Sequence, residues 1–190
     1  MTTPFVVAID VGSPKSNRLG WAARSEHGDA STYPSAVARL AARLLADGSA
    51  AIGFEAPLWA PRRERLIDIT GARGDVERKL GKPWTAVAGP TALATCLGIM
   101  TWTFARVADA APGARATCKL DRWREHGGLL LWEAFVTGTA KLKTHPDDAG
   151  AALNAFVSRW PDLRSDILPE PALNLAVAAA MSAGLSVETR

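Results

Sequence analysis

Apolar and polar positions along this chain follow two periods. Phe5-Val6-Val7-Ala8-Ile9 is an unbroken apolar run stopped by Asp10-Val11-Gly12-Ser13-Pro14, which predicts a central strand ending at an acid. Leu19 to Ser25 predicts a second strand and Ala30 to Tyr33 a third, giving a three-strand meander. Val37, Leu40, Ala41 and Leu44 recur at helical spacing with Arg39 and Arg43 facing away, so an amphipathic helix follows. Ser35 can cap it and Gly48 can end it. Ala50 to Phe54 is another apolar strand leading into Glu55-Ala56-Pro57-Leu58, a repeat of the strand-then-acid pattern.

From Trp59 to Pro90 the periodicity gives way to Gly, Pro and charge, including Arg62, Arg63, Arg65, Arg73, Arg78, Lys79 and Lys82. Glu64, Asp68, Asp75 and Glu77 temper that basic charge. Long structureless loops are uncommon in compact domains unless functional, so residues 59–90 read as an insertion acting as a lid or substrate-binding segment. Leu93, Leu97, Met100, Phe104 and Val107 then mark a helical core stripe closed by Pro112-Gly113. Gly128 to Val136 is an apolar strand interrupted only by Glu133. Ala149, Ala152, Leu153, Phe156, Val157 and Trp160 line a helix that Asp147 or Asp148 can start and Pro161 stops. Ala172 to Gly184 is a last helix, apolar on nearly every side, which predicts that it packs between other elements.

The order of strands and helices predicts an α/β fold, and 190 residues suit one domain spanning 1–190 with the insertion inside it. Apolar residues at 48% and charged residues at 22% exclude a disordered or fibrous chain. Cys96 and Cys118 have no partners with metal-knuckle spacing and read as buried free thiols. Met1 to Ile9 lacks a basic leader, and the apolar stretches Ala92–Phe104 and Ala172–Leu185 fall short of the ~20 residues of a spanning helix. A cytoplasmic protein with no membrane partner is therefore expected. A net charge of +3 and a pI near 9.1 mildly favour anionic partners without deciding a role.

The candidate chemistry lies in acids on buried strands, because an isolated carboxylate in an apolar interior is costly unless paired. Asp10 and Glu55 each end a strand and Glu133 lies within another, so on neighbouring strands the three carboxylates can converge. A hard divalent cation, Mg²⁺ or Mn²⁺, would relieve their repulsion. A pair of such ions would activate water and stabilise the leaving oxygen of a phosphodiester. An Arg or Lys ion pair for each acid is the alternative.

Ile9-Asp10-Val11-Gly12-Ser13, Gly20-Trp21-Ala22, Gly53-Phe54-Glu55-Ala56-Pro57-Leu58 and Trp132-Glu133-Ala134-Phe135 together resemble the ribonuclease H-like superfamily, and within it an uncharacterised family of predicted nucleases. The resemblance implies a ribonuclease H-like mixed sheet with flanking helices and a metal-dependent nuclease or phosphodiesterase acting on nucleic acid. It also implies catalytic roles for Asp10, Glu55, Glu133 and the position held by Asn174, since that family carries an Asp in an Asp-Ala-rich final helix. Asn174 can offer an amide oxygen but no charge. Glu170, four residues earlier, could supply the carboxylate, giving Asp10, Glu55, Glu133 and Glu170 as metal ligands.

Two other readings stay open. Asp10-Val11-Gly12-Ser13 would also suit the phosphate loop of an actin-like nucleotide enzyme. A binding module with an eroded site is the other, in which Trp59, Trp84 and Trp123 stack on bases, plug the core or form a homodimer interface. His145, before Pro146-Asp147-Asp148, could position water near the metals, or Asp147 and Asp148 could simply cap the next helix. Lys15, Ser16 and Arg18 could meet a phosphate backbone or form a solvated turn.

Overall fold

In the computed structural model, described for residues 3–24, 26–86, 89–135, 142–164 and 172–187, the apolar runs become a mixed seven-stranded sheet. Its strands are β1 (Phe5–Asp10), β2 (Gly20–Ala23), β3 (Glu26–Asp29), β4 (Ser49–Phe54), β6 (Arg115–Thr117), β7 (Gly128–Glu133) and β9 (Ser186–Val187). The order across the sheet is β3-β2-β1-β4-β7-β6-β9. β1, β2 and β3 form an antiparallel meander, whereas β1-β4, β4-β7, β7-β6 and β6-β9 are parallel. A second small sheet pairs β5 (Trp59–Pro61) with β8 (Ala172–Asn174).

Helices cover both faces. On one face α1 (Tyr33–Asp47), α3 (Gly89–Ala110) and α6 (Leu175–Ser182) enclose the larger core, with Val7, Ile9, Ile52, Phe54, Leu129 and Leu131 pointing into it. On the other, α5 (His145–Ser158) lies across β1, β2 and β3 over Val6, Ala8, Ala22 and Ala51. Side chains of opposite parity on one strand thus enter different cores. The short helices are α2 (Asp75–Leu80), in the insertion, and α4 (Leu120–His126), before β7.

The third strand is Glu26–Asp29, not Ala30–Tyr33. It is an edge strand with exposed or half-buried side chains, so burial leaves no alternation in its sequence. Ala30 to Thr32 instead turn the chain, with Ser31 N–H and Oγ both donating to Asp29 Oδ1 at 2.9 and 2.6 Å. α1 then starts at Tyr33 with Pro34 in its first turn, where a missing N–H costs nothing, rather than from Ser35.

α3 buries Cys96, Ile99, Met100, Thr103, Phe104 and Val107 at helical spacing, while Leu97 falls off that face. At 22 residues it is longer than its apolar stretch suggested, and by length and composition it could cross a membrane. Here it packs against α1 and α6. The last predicted helix divides: Ala172–Asn174 is strand β8, and Asn174 caps the shorter α6.

Candidate metal centre

Parallel pairing of β1 with β4 sets Ile9 beside Phe54 and continues one step further, Glu55 N–H donating to Ile9 O at 2.8 Å. Asp10 and Glu55 are therefore neighbours at the carboxyl edge of the sheet, on the parity that faces α5. The chain supplies a third acid from above. Asp148, in the first turn of α5, points at the sheet, and one carboxylate oxygen from each of Asp10, Glu55 and Asp148 lies within 4.8 Å of the others. Asp10 and Asp148 are both buried.

Two local features seat Asp148 there. Thr144 is the N-cap of α5: its Oγ1 accepts from Asp147 N–H and donates to Asp147 Oδ2 at 2.6 Å. Thr144 thus does the capping with Asp147 as its partner, and the next residue, about 100° further round the helix, turns inward. Gly20, the β2 partner of Asp10, allows the helix start to come this low, since a Cβ on it would sit 2.1 Å from the His145 carbonyl carbon. Asp148 Oδ1 accepts Leu142 N–H at 2.6 Å. His145 Nδ1 is hydrogen-bonded to Asp10 Oδ2, with the side chain 43% exposed.

Glu133 does not join this group. β4 and β7 pair with Phe54 beside Glu133, so the residue across from Glu55 is Ala134, and Glu133 points to the opposite face with Leu129 and Leu131. There it meets Arg73 from the insertion, whose side chain is only 1% exposed. Arg73 donates from both terminal nitrogens to the two Glu133 oxygens at 2.7 and 2.9 Å, from Nε to Glu77 at 2.8 Å, and to Trp59 O at 3.0 Å. Leu58 N–H adds a bond to Glu133 at 2.5 Å. Burial pushes the Glu133 carboxyl up to about 7 against the downward pull of Arg73. Burial alone would lower the Arg73 guanidinium, but Glu133 and Glu77 hold it above its ordinary value. Glu133 takes the ion-pair alternative.

Asn174 uses its Oδ1 to accept Val177 N–H at 2.9 Å, an N-cap role. Glu170 lies outside the described residues. The Asp-Ala pattern that the resemblance sought near Asn174 occurs one helix earlier, in Asp147-Asp148-Ala149, and that was the available signal for Asp148. The turn after β1 closes on itself, with Ser16 and Arg18 N–H groups donating to Ser13 O and Asn17 N–H to Pro14 O. Trp123 is buried with Nε1 bonded to Gly128 O, Trp84 Nε1 donates to Ile69 O, and Trp59 stacks on Arg73, so all three pack against protein.

Three carboxylates with ligand atoms this close are a hard-oxygen donor set that could hold a metal ion. Compared with known proteins, the chain matches no family model, no curated protein and no solved structure.

Proposed function

We propose that the protein is a metal-dependent nuclease or phosphodiesterase of ribonuclease H-like type, with Asp10, Glu55 and Asp148 holding Mg²⁺ or Mn²⁺. The observation that carries this reading is the convergence of those three carboxylates at the carboxyl edge of parallel strands, the usual place for sites in open α/β sheets. The antiparallel meander beside β1 and the acid that ends β1 also agree with the resemblance, although the Asp-Ala pattern lies one helix before the place the resemblance gives it. When bound, the cation would activate water and stabilise the leaving oxygen of a phosphodiester.

The chain's own residues would hold and orient. Asp10, Glu55 and Asp148 each offer one oxygen within 4.8 Å of the others, and His145 fixes the direction of Asp10 Oδ2. The half-exposed His145 ring is also within reach of a substrate oxygen entering from solvent. Glu133 and Arg73 hold the insertion against the sheet from the opposite face.

Thermal melts with Mn²⁺ and cleavage assays on nucleic acids test the reading, since a ligand bound only by the folded state raises stability by about 2.7 kcal/mol at a hundred times its Kd. Asp10→Asn and Asp148→Asn are expected to abolish both the Mn²⁺ stabilisation and the cleavage, while Glu133→Gln keeps the Mn²⁺ response. Loss of that response in Glu133→Gln with retention in Asp148→Asn would overturn the ligand set. Stabilisation by ATP with magnesium, and none by metal alone, would favour a nucleotide enzyme instead.

A further inference from the structure

The insertion is not held to the rest of the molecule by an apolar core. Of residues 62–86, only Arg73 and Gly74 are buried. The aliphatic side chains that would ordinarily anchor such a segment point to solvent: Leu66 is 82% exposed and Ile67 81%, and Ile69, Val76 and Leu80 are exposed too. α2 packs extensively on no other described helix or strand. Several polar bonds join the insertion to itself, with Arg63 donating to Ala72 O, Trp84 Nε1 to Ile69 O and Thr85 Oγ1 to Thr70 O.

Arg73 crosses to the sheet. Its guanidinium meets both Glu133 oxygens and Trp59 O, lies over the Trp59 ring, and is tied back to the insertion by Glu77. Trp59 stays with the body of the protein, because β5 pairs with β8. A planar fork matched to a carboxylate is directional as well as charged, so it fixes one orientation. It is also a single point of attachment. A segment with few buried apolar contacts belongs to the low-stability end of a structure and opens at less than the global unfolding free energy.

The insertion covers a cavity of about 470 Å³: Arg73, Gly74, Val76 and Glu77 line it from one side, and Cys118 and Leu131 line it from the sheet. We infer that residues 62–86 are a lid latched by Arg73, which leaves the sheet as a unit and opens this cavity to solvent while the sheet and its helices stay folded. Cys118 is placed to register the opening. It is half-buried, and with the lid shut its thiol is pushed up to about 12 by burial and Glu133, despite a hydrogen bond with Asn174. Opening hydrates the thiol and lets a reagent reach it. Cys96, fully buried on α3 in the larger core, does not line the cavity and serves as an internal control.

The experiment is peptide-resolved labelling of Cys118 and Cys96 by a neutral thiol reagent in EDTA, with hydrogen exchange of residues 62–86, in the parent, Arg73→Ala, Arg73→Lys and Arg78→Ala. Arg73→Ala removes one partner of a buried ion pair, and is expected to speed both Cys118 labelling and exchange in the insertion at least about tenfold. Cys96 should keep its parent rate. Arg73→Lys keeps the charge but not the fork, so it should open the lid by a smaller factor, and it carries the test if the alanine variant does not fold. Arg78→Ala breaks only the exposed pair with Asp75 and should match the parent. Parent-like labelling of Cys118 in a folded Arg73 variant, an equal acceleration at Cys96, or an equal acceleration in Arg78→Ala would overturn the lid.

Discussion

Glu55 and Glu133 lie on adjacent parallel strands, yet a register step of one residue sends them into different surroundings. Glu55 faces two other acids, and Glu133 faces a buried arginine. The second arrangement has a consequence for stability. The folded-state Glu133 carboxyl is raised to about 7, chiefly by burial, above the ~4.3 of an unfolded glutamate. Between those values the native state binds a proton that the unfolded chain does not. Its stabilising contribution is therefore full below about 4.3 and is lost as pH rises through about 7. Melting temperatures of the parent and Glu133→Gln, measured from pH 4 to 8 in EDTA, should separate across that window, the parent losing stability relative to the variant. A constant difference would mean that Arg73 keeps Glu133 ionised throughout.

At the scale of elements, the site depends on how low α5 sits on the meander. A side chain on Gly20 would meet the backbone at His145 and Pro146 rather than a flexible tip. Gly20→Val is expected to lift the start of α5, cost about 1–3 kcal/mol as overpacking does, and weaken Mn²⁺ binding by withdrawing Asp148 and His145 from Asp10. A full Mn²⁺-induced melting shift in this variant would show that Asp148 reaches the site independently of that contact. The same elements show what was legible in the sequence. β1 and β4 were readable because strands buried on both faces are continuous apolar runs, and the acids that follow them marked two of the three members of the cluster. β3 was not, because an edge strand such as Glu26-His27-Gly28-Asp29 carries no burial pattern. The exclusion of Glu133 rests on the pairing of β4 with β7, a register between distant segments that no local periodicity encodes. Asp147 and Asp148 both looked like caps, but Thr144 caps α5 with Asp147 bonded to it, and only the packing of α5 sends Asp148 to the cluster.

Across the whole molecule, the sheet separates the acid cluster from the larger core, so events at one should reach the other only through global stability. The thiols allow this to be tested. Cys96 is fully buried on α3, on the opposite face from the carboxylates. Burial raises its thiol well above the ordinary range, with Glu133 adding to the shift. Burial and Glu133 also push the Cys118 thiol up to about 12, despite a hydrogen bond with Asn174. Reactive thiolate is therefore scarce at both in the folded state, and labelling of Cys96 should require opening of its core. If that opening is global, Mn²⁺ at the cluster suppresses it by mass action, and at a hundred times its Kd labelling slows about a hundredfold. The measurement is Cys96 modification by a thiol reagent with and without Mn²⁺, in Cys118→Ser and in the same variant carrying Asp10→Asn. The slowing should appear in the first and vanish in the second. Labelling that ignores Mn²⁺ while the melting temperature still rises would mean that α3 opens by itself, leaving the metal-bearing face folded.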